Sequence, residues 1–199
     1  GNNIQTTKIK MNGRNTNSGF SITGRIDTQV YDKETLRQAA DNYNELSKEE
    51  KLQLSRDVEP AYEDTVYNVT TDKLHEYFVD NLDPGQTDSK DNVTTAWLGL
   101  GTNAGGGTAS TDTDLNNRVY EKPVTDVADN GKDLVASTFI ASDEGNGGNS
   151  NDFNELGLFS GDPTNLSNND TFLMNHATFN IVTKDNTKTV TFDVTLTFS

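Results

Sequence analysis

The alternation of apolar and polar positions is clearest at the C-terminal end. Val190, Phe192, Val194, Leu196 and Phe198 alternate with Thr191, Asp193, Thr195 and Thr197. A period of two gives a strand with one apolar face. Just upstream, Ala177, Phe179 and Ile181 alternate with Thr178, Asn180 and Val182 in a weaker form of the same pattern. Between the two runs, Thr183 to Lys188 is polar and turn-prone through Asp185 and Asn186. Together they predict a terminal β-hairpin, half-buried, with a solvated threonine face.

The rest of the chain divides by pattern. Residues 1–17 are polar and Asn-rich, with only Ile4, Ile9 and Met11 apolar, and read as an extended arm. Phe20, Ile22 and Ile26 alternate around Gly19 and Gly24, so residues 1–31 are expected to form the arm and short strands. At Asp32 the period changes. Asp32 is placed to cap a helix starting at Lys33, and Leu36, Ala39, Ala40, Tyr43 and Leu46 fall at helical spacing. Ser47 and Glu50 form a capping box that opens a second helix running to about Asp57, before Pro60. Thr70 or Thr71 caps a third, with Leu74, Tyr77, Phe78 and Leu82 on one face and Asp83-Pro84-Gly85 closing it. Residues 32–85 thus predict a small helical lobe whose aromatic residues pack its interior.

After a polar linker from Gln86 to Asn92, short β-patterned runs alternate with long polar loops at 102–117 and 143–154. Residues 93–199 predict an antiparallel β-sandwich, jelly-roll-like. The expected fold class is α+β, mainly β.

Composition narrows the function classes. The chain of 199 residues has 31% hydrophobic content, and 31 acidic against 16 basic residues give a net charge of −15. Mean hydropathy is −0.73 and the pI is near 4.3. Such a surface repels phosphate backbones and anionic membranes, which argues against nucleic-acid binding. It suits a high-salt environment, where screening removes self-repulsion, and equally an ordinary acidic soluble protein, since lysine outnumbers arginine. There is no cysteine, so disulfides and thiolate chemistry are excluded. No apolar run has the length of a membrane span, and the N-terminus lacks a signal-peptide core. A protein that reaches the outside from such a sequence does so after cleavage of a leader, or inside a particle assembled in the cytoplasm.

Candidate chemistry is sparse. His75 and His176 are isolated and lack metal-ligand spacing, and no GxSxG elbow occurs. Gly99 to Gly107 is glycine-rich but has no Lys-Ser/Thr ending, so its glycines point to tight turns or close backbone approach. The loop Asp143 to Asp152 carries the best cation candidate: Asp143, Glu144, Asn146 and Asp152 supply oxygens that suit Ca²⁺, though not at EF-hand spacing. A solvated loop without an ion is the simpler expectation for it. Sequons occur at Asn68, Asn92, Asn165 and Asn169. Trp97, the only tryptophan, sits in an apolar run and is expected to pack in a core. No catalytic residue set is visible.

Several motifs of the C-terminal half nevertheless form an ordered series. Trp97-Leu98-Gly99-Leu100-Gly101-Thr102 precedes a small-residue loop and Asp112-Thr113-Asp114-Leu115-Asn116-Asn117-Arg118-Val119. Glu155-Leu156-Gly157-Leu158-Phe159, Leu173-Met174-Asn175-His176-Ala177-Thr178-Phe179, and Lys184 with Thr189 to Phe198 follow. This order over residues 93–199 resembles appended structural proteins of tailed bacterial and archaeal viruses. The resemblance implies a β-sandwich of a tail fibre, baseplate or capsid spike, and the acidity fits a virus of a halophilic archaeon. It carries over no catalytic residue.

The expected function is that of a non-enzymatic virion component, a capsid turret, spike or tail appendage exposed on the particle surface. Its expected partners are copies of itself, three, five or six around an axis, together with capsid or tail proteins. A host cell-surface protein or glycan is the expected target, met by loops carrying Asn103, Gly105, Thr108, Asn146 and Asn149. The alternative is a cellular carbohydrate-binding or surface-layer module, which would present an aromatic platform. No cofactor is expected apart from a cation such as Ca²⁺ at the 143–152 loop.

Overall fold

The computed structural model describes residues 21–85, 96–166 and 171–199. The expected arm up to residue 20, the 86–92 linker, and the sequons at Asn92 and Asn169 lie outside the described residues. No helix among those described is long and apolar enough to cross a membrane.

The protein is mainly β. Among the described residues nine strands run β1 (Ile22–Asp32), β2 (Tyr62–Thr70), β3 (Trp97–Gly101), β4 (Arg118–Pro123), β5 (Asp126–Asn130), β6 (Asp133–Ile140), β7 (Asn151–Phe159), β8 (Leu173–Lys184) and β9 (Lys188–Phe198). They form one antiparallel sheet in the order β4-β3-β7-β8-β2-β1-β9-β6-β5. β2 is the hinge of this sheet. Tyr62 to Asn68 pair with β1, whereas only Val69 and Thr70 pair with β8. The sheet therefore curls into two wings, β1-β9-β6-β5 and β8-β7-β3-β4. One apolar cluster is shared by both, including Ile26, Phe192, Val194 and Leu196 from the first and Leu98, Leu100, Leu156 and Met174 from the second.

The two C-terminal strands stand in the expected segments, but they are not a hairpin, and past a register irregularity between β7 and β8 the expected faces of β8 exchange, so that Ile181 is exposed and Val182 buried. β8 pairs with β7 and β2, and β9 pairs with β1 and β6. The turn at Asp185 carries the chain from one wing to the other, its carboxylate accepting bonds from the Thr187 amide and hydroxyl. The apolar faces of β8 and β9 meet across the core instead of side by side, with the Phe179 and Phe192 rings 5.8 Å apart. On β9 the period of two reveals the apolar face but is silent on which strand lies alongside.

The threonine face of β9 is also buried, contrary to the expected solvated face. Thr189, Thr191, Asp193 and Thr195 are all covered. Residues following β1 lie over this side. α1 (Lys33–Gln38) and α2 (Lys48–Ser55) contribute Leu36 and Leu52 to a second cluster with Tyr31 and Phe139. The Tyr31 hydroxyl donates to the Ser55 carbonyl, and its burial raises the phenol pKa. The segment expected as a helical lobe thus splits in two. Its first two helices cover one wing, its third (Asp72–Leu82) packs against β8 of the other, and its strand β2 enters the middle of the sheet beside β1 from the expected arm region. Residues 93–199 alone do not complete the sheet. β2 alternates weakly because its inner positions include the polar Asp64, Asn68 and Thr70, while Tyr67 on its outer side is 80% exposed.

Local signals at the helix starts act largely as expected. The Ser47 hydroxyl accepts from the Glu50 amide at 3.1 Å and the Glu50 carboxylate accepts from the Ser47 amide at 2.7 Å. α3 (Asp72–Leu82) is capped by Thr71, whose hydroxyl accepts from the Leu74 amide. Asp32 does not cap α1 with its side chain; its carboxylate pairs with Lys188.

Candidate functional site

The strand register collects several connections at one end of the sheet. Gly101 of β3 lies opposite Glu155 of β7, Asn151 opposite Lys184, Ile140 opposite Val190, and Asp32 opposite Lys188. The 102–117, 141–150 and 185–187 loops therefore leave the sheet at the same end. Both loops expected to face outward are among them.

The 102–117 loop is braced along much of its length. Asn103 is buried, correcting its expected place on an exposed contact surface. Its carboxamide oxygen accepts from the Gly105 and Gly106 amides, its nitrogen donates to the Gly106 carbonyl, and its backbone exchanges two bonds with Asn154. Asparagine folds the loop onto itself here. Gly105, at φ +119°, is exposed, and Thr108 is half-buried.

Further along, the loop is tied down by a buried polar cluster. His176 has no exposed surface; its Nδ1 lies 2.6 Å from Asp112 Oδ2 and its Nε2 2.7 Å from Glu155 Oε1. The fully buried Glu155 carboxylate also accepts from the Asn116 amide at 2.6 Å and the Asn117 amide at 3.1 Å. Gly101 permits this approach, since a Cβ there would meet Glu155 and stand 2.7 Å from the Asn117 carbonyl oxygen. Leu115 packs beside Phe159 and Leu173, with Trp97 against the same cluster. In the sequence His176 stands as an isolated histidine. The motif segments containing Asp112, Glu155 and His176 were visible, but only the fold brings them together.

The 141–150 loop is met by lysines from other elements. The Glu144 carboxylate accepts from Lys48 Nζ at 2.6 Å, Lys122 Nζ at 2.8 Å and the Ala141 amide at 3.0 Å. Burial works against this carboxylate, yet the lysine and amide bonds hold its pKa down to about 2. Lys122 is itself buried, which lowers its pKa, and it also donates to the Phe139 carbonyl. Lys184, fully buried, donates to the Asn146 carboxamide oxygen at 2.7 Å, the Asp185 carbonyl at 2.9 Å and the Ser142 carbonyl at 3.2 Å. Burial pushes its pKa down to about 8.

The four candidate Ca²⁺ ligands are thus divided among different tasks. Glu144 and Asn146 face lysines, Asp152 accepts from the Thr183 hydroxyl at 2.6 Å, and Asp143 is exposed. No group of three or more metal-ligating side chains is found among the described residues. Asn146 is half-buried, while Gly147, Gly148 and Asn149 are exposed.

The remaining candidates are scattered. His75, on α3, meets the Thr70 hydroxyl at 3.1 Å. The Asn68 side chain packs against Gly24, and Asn165 is exposed in a single 3₁₀ turn.

The chain matches no protein-family model, no curated protein and no solved structure.

Proposed function

We propose that the protein is a non-enzymatic virion component, a homo-oligomeric turret, spike or tail appendage exposed on the particle. The observation that carries this reading is the gathering of Asn- and Gly-rich loops at one end of the sheet, braced from beneath by buried polar contacts. A braced loop loses little conformational freedom on meeting a partner, so it is suited to repeated recognition of a surface protein or glycan. The order of motifs from Trp97 to Phe198 supports the viral reading, and the two wings are read as the layers of a jelly-roll-like sandwich. Copies arranged around a three-, five- or six-fold axis match the symmetry of a tail or capsid vertex.

The alternative, a cellular carbohydrate-binding or surface-layer module, calls for an aromatic platform. Trp97 packs instead against the cluster of Leu115, Phe159 and Leu173.

Particles carrying Asn149→Arg test the display of the loop, because Asn149 is exposed and the brace at Asn146 is left in place. They are expected to assemble normally and to adsorb to host cells at least about tenfold more weakly. Unchanged adsorption would count against this loop as the contact surface. Mass photometry across a salt series tests the oligomer, and a monomer at every salt concentration would overturn it.

A further inference from the structure

At the end of the sheet opposite the displayed loops, the two wings part over a cavity of about 600 Å³. Its lining includes Leu74, Phe78, Val124, Val127, Leu134 and Phe198, and among the described residues Asp126 is the one charged lining residue. A space of this size and apolar character is large enough for several side chains. β5 forms one side. It is the last strand in the sheet order and pairs with β6 alone among the described residues. All five of its residues are exposed, and Val127, which lines the cavity, is 49% exposed. A sheet edge beside an apolar cavity offers main-chain hydrogen bonds for affinity and a pocket for side-chain selection.

Charge selects the occupant. Two of the five β5 residues, Asp126 and Asp129, are acidic, and the whole chain carries −15. Pairing two β5 edges would set two acidic strands about 5 Å apart and gather four aspartates in one doubly acidic complex. A second copy is therefore disfavoured at this edge, and lysine or arginine on the incoming strand is favoured. We propose that β5 and the cavity form a strand-addition site for a basic, extended segment of a different polypeptide. Its backbone pairs with residues 126–130 and one large apolar side chain enters between Val127, Leu134 and Phe198. The inference stands on the edge and the cavity and holds whether or not the opposite loops contact a host.

A synthetic peptide alternating valine and lysine around one central phenylalanine serves as the probe, titrated onto the intact chain at low salt. Amide hydrogen exchange is expected to show protection at residues 126–130. A peptide with glutamate in place of lysine, or serine in place of phenylalanine, should bind at least about tenfold more weakly. D126K/D129K changes only exposed side chains, so it should keep its circular dichroism spectrum and lose the lysine peptide to a similar extent. Three results would overturn the site: no protection of β5, equal protection by the glutamate peptide, or concentration-dependent protection without any peptide, which would identify a second copy as the occupant.

Discussion

Arg56 grips Asp193 through two hydrogen bonds, 2.5 Å from Nη1 to Oδ2 and 2.7 Å from Nη2 to Oδ1. Arg56 follows α2, and Asp193 lies at the middle of β9, on the face that the helices cover. Asp193 also accepts from the Ser137 hydroxyl at 2.6 Å, so one carboxylate joins the helical segment to two strands of the sheet. The hydrogen bonds to Asp193 raise the Arg56 pKa against the opposing effect of burial. The joint ties residues far apart in sequence into one folding unit.

Asp193→Ala is accordingly expected to destabilise the whole protein. It leaves the guanidinium without its carboxylate and removes the acceptor for Ser137. The cost should be about 2–3 kcal/mol, below the full value for a buried pair because the Arg56 side chain is 37% exposed. Urea unfolding followed by both circular dichroism and tryptophan fluorescence checks this. The two probes should move together. A transition confined to helical signal would show that the helices unfold apart from the sheet.

Glu144 predicts a distinct response to acid. Its ordinary pKa of 4.5 falls to about 2 in the folded chain, where Lys122 and Lys48 outweigh the burial that opposes ionisation. Between these values the unfolded chain binds the proton more readily than the folded one. The stabilisation is therefore fully present above about pH 4.5 and is lost as pH falls toward about 2, by on the order of 2–3 kcal/mol. Glu144→Gln should lower stability at neutral pH and flatten this part of the acid profile relative to the parent chain. Parallel profiles in urea melts would show that the lysine contacts contribute little.

His176→Leu should have its largest effect on one loop. The substitution deprives buried Glu155 and partly buried Asp112 of the ring between them, while Glu155 keeps the Asn116 and Asn117 amides. A destabilisation of about 3 kcal/mol is expected, with faster amide exchange concentrated in residues 110–117. Uniformly faster exchange, without that concentration, would mean that the cluster supports the sheet and leaves the loop to other contacts.

The sequence was informative where a local pattern has one physical meaning. Val190 to Phe198 specify a strand because alternate side chains point to opposite faces, and Ser47 with Glu50 specify a helix start because both bond partners lie within one turn. Long-range relations were hidden. Nothing in Thr183 to Lys188 distinguishes a turn that closes a hairpin from one that crosses between wings. Tyr62 to Thr70 lacks a clean apolar alternation because its inward positions include the polar Asp64, Asn68 and Thr70 while the aromatic Tyr67 faces outward, so its central place in the sheet is hidden. The candidate site behaved alike. Asp143, Glu144, Asn146 and Asp152 read as cation ligands, but the lysines that satisfy two of them come from residues 48, 122 and 184, brought in by α2, β4 and β8.

Phe192 gives the most direct test of that crossed arrangement. Its side chain has no exposed surface and faces Phe179 across the core, with β1 and β6 alongside. Phe192→Ala should cost about 3–5 kcal/mol through lost burial and the cavity left behind. Phe192→Asp should abolish folding, because the new carboxylate would be buried without a cationic partner. Phe179 is only half-buried, so Phe179→Ala should cost less, yet the double variant should cost less than the two single costs combined. Chemical denaturation of the single and double alanine variants measures this coupling. Strict additivity would mean that the two rings do not share a contact, and that the two strands do not face each other across the core.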